Sequence, residues 1–325
     1  VALANRSSYA MHPAYYVIFF TTASGAGYGM LVWLAALAAL GDPNPGLVGG
    51  LILFALALGL VTAGLLSSTF HLGHPERAWR ALSQWRSSWL SREGVAAIIT
   101  YGPALLFALG WVVFTSVEGI WMIVGLVAAF MALVTVACTG MIYASLKAIP
   151  RWTDITVVPV YLAFALSTGG ALALATLAVI SPLPSLWAWL VTLAIALSWG
   201  LKLVYWNRID NAAPVATAET ATGLGHIGPV SLFEAPHTGE NYIMREMGFQ
   251  IARKHAARLR IIALVLGGAV PLLAFATAAL SVGPVMVAAC IVGVAGVGIG
   301  VLLERWLFFA EAQHAAMLYY GAKAV

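Results

Sequence analysis

Apolar residues fall along the chain in long runs, separated by short stretches that hold the charges, prolines and turn residues. A bilayer core about 30 Å thick takes roughly 20 apolar residues of helix to cross. Eight runs meet that length: Ala14 to Leu40, Leu47 to Phe70, Gly94 to Thr115, Trp121 to Leu146, Thr156 to Ile180, Leu186 to Tyr205, Ile261 to Leu280 and Val285 to Phe309. The pattern predicts an all-α integral membrane protein, a bundle of eight transmembrane helices forming a single anchor domain over residues 1–325. The first run is long enough to span and lacks a basic leader followed by a cleavage site, so it is expected to stay as a helix.

Composition agrees with lipid as the solvent. Of 325 residues, 62% are apolar and 9% charged, against about 25% charged in an ordinary soluble domain, and the mean hydropathy is +0.94. The net charge of +4 would suit a nucleic-acid partner until the basic residues are placed. Even-numbered spans return the chain to its starting side, and on that count all 16 Lys and Arg fall on one side. They are Arg6, then Arg77, Arg80, Arg86 and Arg92, then Lys147 and Arg151, then Lys202, Arg208, Arg245, Arg253, Lys254, Arg258 and Arg260, then Arg305 and Lys323. The other side carries only Asp42 and Glu118 as charges. By the positive-inside rule both termini and the three large connections face the cytoplasm of a bacterial inner membrane. The charge therefore reports topology.

No charged residue falls near the middle of a run; Glu93, Asp154, Lys202 and Glu304 sit at the basic ends. That weighs against a transporter, whose midplane site needs ionisable groups or broken helices. The spacings Gly25-xxx-Gly29 and Gly296-xxx-Gly300 are expected to let helices approach closely. Cys138 and Cys290 lie in separate apolar runs with no CxxC or CxxCH. The chain is thus expected to hold no iron–sulfur cluster, which needs about four thiolates, and no haem.

The candidate chemistry lies in the second connection, where His71, His74, four Arg, the indoles Trp79, Trp85 and Trp89, and Glu93 crowd the membrane interface. An interfacial belt of Trp and Arg accounts for most of these. It gives no reason for His71 and Glu93 at the ends of adjacent spans, where desolvation makes polar groups costly. Quinone reduction does, because it consumes two protons and needs groups that exchange them near neutral pH, as His and a partly buried carboxyl do. On residues alone both readings stand.

The stretch Ser68-Thr69-Phe70-His71-Leu72-Gly73-His74-Pro75-Glu76-Arg77-Ala78, followed by Leu90-Ser91-Arg92-Glu93, resembles the membrane-anchor subunit family of dimethyl sulfoxide reductase. The pattern there is S-T-hydrophobic-H-L-G-x-P-x-R-A with a later L-S-x-E. The resemblance implies a site for a quinone (ubiquinone or menaquinone) at His71, Arg77 and Glu93, and does not extend to His74, where the family varies. It also implies two partners, an iron–sulfur electron-transfer subunit and a molybdopterin catalytic subunit. Two features depart from the reductase: the docking face expected here is cytoplasmic, and the sixth connection, residues 207–258, is long. Its segments Gly223-Leu-Gly-His226-Ile-Gly228 and Glu234-Ala-Pro-His237-Thr-Gly-Glu240-Asn-Tyr242 look like those of anchors of cytoplasm-facing, sulfite-oxidising molybdoenzymes, which feed electrons to quinone. A quinol-oxidising anchor of a reductase is the runner-up, and a transporter or purely structural anchor the rival from another class.

The sixth connection opens on small and turn residues and is expected to order against a partner. Farther on, Ile243, Met247 and Ile251 recur every four residues, as in an amphipathic interfacial helix. Trp79, Arg80, Phe233 and Tyr242 are the expected docking contacts, with His226, His237 and His255 as surface or docking residues. The ExxH spacing Glu311-Ala-Gln-His314 occurs once, whereas a di-iron bundle needs two copies and further glutamates. A haem between His71 and His255 or His314 is a further, weaker option.

Overall fold

Lipid offers the backbone no hydrogen-bond partner, so each apolar run has to close its own bonds as a helix. In a computed structural model that describes residues 15–40, 45–69, 74–181, 184–234 and 250–325, with backbone alone for 250–254, every expected run does so. The spans are α1 (Tyr15–Leu40), α2 (Gly46–Ser67), α3 (Trp89–Val112), α4 (Ile120–Ala144), α5 (Val157–Ile180) and α6 (Ser185–Asp210). The seventh comprises α7 (Gln250–Leu264), a π-helical segment (Val265–Ala269) and α8 (Val270–Leu280), and the eighth is α9 (Pro284–Ala310). All 8 are long and apolar enough to cross a membrane, and the described elements include no strand.

Three boundaries shift by more than a turn: the seventh span's helix opens at Gln250 rather than Ile261, and the other two bear on the site. Helix α3 opens at Trp89, so Glu93 lies within it, and α6 continues to Asp210. His71, His237, Tyr242, Ile243 and Met247 lie outside the described residues.

The core runs along α1 and α5. Their spans are 67% and 61% buried, against 33–39% for the others, and they pack on each other while α1 also holds α2 and α4, and α5 holds α6 and α9. Two four-helix groups thus join along one seam. Small residues make the seam possible: a Cβ on Gly29 would overlap the Ala165 carbonyl, and one on Gly169 would overlap the backbone of Gly29 and Met30. The Trp33 indole donates to the Leu166 carbonyl across it, 2.8 Å. Gly267 and Gly300 meet in the same way between the seventh span and α9. The expected packing role of the Gly pairs is what is observed, although Gly25 itself meets only the Ala165 methyl, 3.9 Å away.

The π segment has a local cause. Pro271 has no N–H to offer the Gly267 carbonyl four residues back, and Trp199 of α6 supplies the donor instead, Nε1 to O 2.6 Å. At the basic end, a 3-10 strap (Pro75–Gln84) links α2 to α3 and lies over the start of α3. The C-terminal residues turn back to residues 215–218, where Val325 and Ala216 exchange backbone hydrogen bonds at 3.0 and 3.3 Å.

Candidate functional site

Glu93 sits in the second turn of α3, 4% exposed. Helix α3 begins at the basic end, and helix side chains lean toward their N-terminus, so the carboxyl stays near that interface despite being buried. It accepts a short hydrogen bond from the Thr139 hydroxyl of α4. Below it, Thr135 and Thr100 pair at 3.0 Å, continuing a polar seam between α3 and α4. The strap covers the mouth of this seam: Ser91 donates to the Ala81 carbonyl, and Leu82 lies against Gly94. A carboxyl in that position can hold or release a proton under a lid of strap residues.

The other expected site residues are placed less tightly. Arg77 leaves the strap half exposed, its Nε 3.6 Å from Glu76 Oε1, and among the described residues no hydrogen bond or ion pair joins it to Glu93. His74 is exposed and pairs with Glu76 at 3.0 Å. From the strap into the first turn of α3, aromatic residues alternate with guanidinium groups: Arg80 lies 5.6 Å from the Trp79 ring, Arg86 5.5 Å from Trp85, and Arg92 4.2 Å from Trp89. Trp79 is 68% exposed and Phe233 is fully so, which leaves both free to meet another surface. His226 and His255 are also exposed.

Glu311 and His314 of the ExxH spacing are engaged elsewhere. Glu311 is buried and accepts from Arg260 at 2.7 and 2.8 Å, and His314 Nδ1 accepts the Ala316 N–H, 3.0 Å, capping the 3-10 turn Ala315–Tyr320.

One polar cluster was not anticipated as a unit. Lys202 of α6 and Glu304 and Arg305 of α9 are all buried. Lys202 Nζ is 2.6 Å from Glu304 Oε1, and Arg305 Nε is 3.4 Å from Glu304 Oε2. The guanidinium lies 3.6 Å from the Tyr161 ring centre, and the Lys202 ammonium 4.0 Å from that of Tyr205, so the rings share the cations' stabilisation. Between α1, α4, α5 and α9 lies a cavity of about 10 Å³ whose walls include Ser24, Thr139, Tyr161, Thr168 and Arg305, room for roughly one water molecule. Thr139 therefore touches both Glu93 and this cavity.

Comparison with known proteins gives this arrangement a context. A family model described as DMSO reductase anchor subunit (DmsC) matches residues 9–311. The chain is also 34% identical, over 97% of its length and 100% of the relative's, to a protein from Allochromatium vinosum named as a sulfite dehydrogenase subunit. No solved structure matches it.

Proposed function

The chain belongs to the DMSO reductase anchor subunit family, and from that premise we propose that it is the quinone-handling anchor of a molybdopterin and iron–sulfur oxidoreductase. Electrons from the iron–sulfur partner reach a quinone held near His71, Arg77 and Glu93 at the basic end, which faces the cytoplasm. The relative's name supports sulfite as the substrate of the catalytic partner and its oxidation as the direction; delivery of those electrons to quinone is part of the proposal.

The observation that carries this reading is the buried carboxyl of Glu93, held by Thr139 under an Arg- and Trp-bearing strap. A structural anchor has no use for a carboxyl there, since burying one costs several kcal/mol unless function or pairing returns it. The residue types suit a quinone: a carboxyl and an imidazole that exchange protons, a guanidinium that offsets developing negative charge, and indoles that flank a ring. The test is binding of a fluorescent quinone-site inhibitor to the intact complex. His71→Leu removes a donor and should weaken binding about tenfold or more, while Glu93→Gln, which keeps the shape, should bind as wild type. Unchanged binding in His71→Leu would remove the quinone from this end of the bundle.

A further inference from the structure

A carboxyl that exchanges protons has to be stable in two forms, protonated and ionised. At a surface water accommodates both, but Glu93 is 4% exposed and Thr139, its partner on α4, 5%. Resting on the quinone reading of Glu93, we propose that Thr139 is a positioning residue for the proton transfer. Its hydroxyl holds Glu93 Oε1 through both forms and leaves Oε2 as the oxygen that hands a proton to the quinone.

The Thr139 hydroxyl has one proton and two acceptors in reach. It donates to Glu93 Oε1 and lies 3.1 Å from the Thr135 carbonyl, one turn back in α4. With the carboxyl protonated on Oε2, Oε1 is a carbonyl oxygen and accepts the Thr139 O–H. When the proton leaves, the O–H bond at Oε2 breaks and a new one forms on a quinone oxygen, whose negative charge comes from electrons of the partner's reduced iron–sulfur cluster. Oε1 then belongs to a carboxylate, and the same hydrogen bond becomes charge-assisted and about twice as strong. If a proton returns on Oε1 instead, Glu93 donates, Thr139 accepts, and the Thr139 O–H swings to the Thr135 carbonyl. No heavy atom has to move, and Oε1 and the Thr139 hydroxyl keep a partner in every form, which matters because a buried unpaired group is costly.

A threonine that bonds back to the carbonyl four residues earlier is ordinary in helices, so the weight rests on what differs at Thr139. Thr22, Thr176, Thr192 and Thr277 each make that bond at 2.8 Å, and among the described residues no second group meets their hydroxyls. Thr139 stands farther from its carbonyl and also meets an ionisable group of another helix. Among the described residues it is the sole hydrogen-bond partner of the Glu93 carboxyl, and none occupies Oε2. The seam behind it offers no substitute. Thr100 and Thr135 pair with each other at 3.0 Å and lie 2.7 and 2.9 Å from their own helix carbonyls.

The test compares Thr139→Val, which keeps the shape and removes the hydroxyl, with Thr139→Ser, which keeps the hydroxyl and removes a methyl. In the whole complex, substrate is added to the catalytic partner, and cluster reduction, quinol formation and binding of the quinone-site inhibitor are recorded. Infrared difference spectra follow the Glu93 carboxyl as the band that Glu93→Gln abolishes. Thr139→Val should reduce the clusters and bind the inhibitor as wild type. It should form quinol about tenfold or more slowly, the cost of one hydrogen bond to a charged group, and its carboxyl band should move to higher frequency, as a carbonyl freed of a hydrogen bond does. Thr139→Ser should return both the rate and the band toward wild type. A wild-type quinol rate or an unmoved band in Thr139→Val overturns the proposal, and so does equal slowing in the Val and Ser variants, which assigns the residue to packing. If Thr139→Val loses its partners, the band is read in the full chain alone during a pH titration, and an unmoved band there is equally fatal. Slow Glu93→Gln beside wild-type Thr139→Val leaves the quinone reading standing, whereas wild-type quinol formation in Glu93→Gln overturns both.

Discussion

Deleting either side of the Lys202–Glu304 pair should destabilise the bundle unequally. Glu304 is 0% exposed and stands between two cations, 2.6 Å from Lys202 and 3.4 Å from Arg305. Removing one partner of a buried pair typically costs about 3–5 kcal/mol, because the other charge stays desolvated. In Glu304→Gln two cations remain with no counter-ion, which puts the cost at the upper end, about 4–5 kcal/mol. In Lys202→Met the carboxylate keeps Arg305, so the cost should fall to about 2–3 kcal/mol. The double variant leaves Arg305 alone over the Tyr161 ring, and its cost should be well below the sum of the singles, with a coupling of about 2 kcal/mol or more. Denaturant titration of the purified chain in bicelles measures all four corners of the cycle. Equal costs, a reversed order, or additive singles would show that the three side chains do not act as one buried electrostatic unit.

With all 16 Lys and Arg on one side, a reporter fused after Val325 or inserted near Thr220 should be active only as a cytoplasmic one; periplasmic activity would reverse the topology. Burial raises the Asp154 carboxyl, but hydrogen bonds from Thr156 and Arg208 outweigh it and hold the pKa below the ordinary 3.8. The stability this gives is complete above that value and lost as pH falls through the lowered one. The gap between wild type and Asp154→Asn should thus be constant above about pH 5 and close at more acid pH, and a gap that grows with acid would contradict it. At the docking face, Phe233→Ala and Trp79→Ala should each weaken retention of the partner subunits by about tenfold, as for aromatic hot spots, with the helices still inserted. Unchanged co-purification would leave these rings as lipid or solvent contacts.

The spans were legible because lipid forces one solution on an apolar run, and Glu93 was legible because a carboxylate beside such a run has no cheap explanation. What the linear pattern concealed was direction. Lys202, Glu304 and Arg305 read as residues of the basic end, and a long side chain near a helix end is expected to reach outward to the interface. Yet α6 and α9 both arrive at that end by their C-termini, so their side chains lean back into the membrane. Glu304 also lies about 9 Å inside the end of α9, six residues at 1.5 Å each. The signal was present in the spacing: Trp199, Tyr205 and Trp206 flank Lys202 at helical intervals, a ring of aromatic side chains that a snorkelling lysine would not need. The π segment was hidden for a different reason: Pro271 marks the place, but the carbonyl it leaves open is filled by a tertiary hydrogen bond from Trp199 that no local pattern announces.

Whether Glu93 serves quinone chemistry at the basic end is decided by following both ends of the electron path in the Glu93→Gln complex. Substrate is added to the catalytic partner, and reduction of the iron–sulfur clusters and of the quinone are recorded in the same reaction. If the carboxyl delivers protons to the quinone, the clusters should be reduced at the wild-type rate and the quinone roughly 100-fold or more slowly, the range for loss of a general acid. Wild-type rates at both would leave Glu93 with no part in the chemistry.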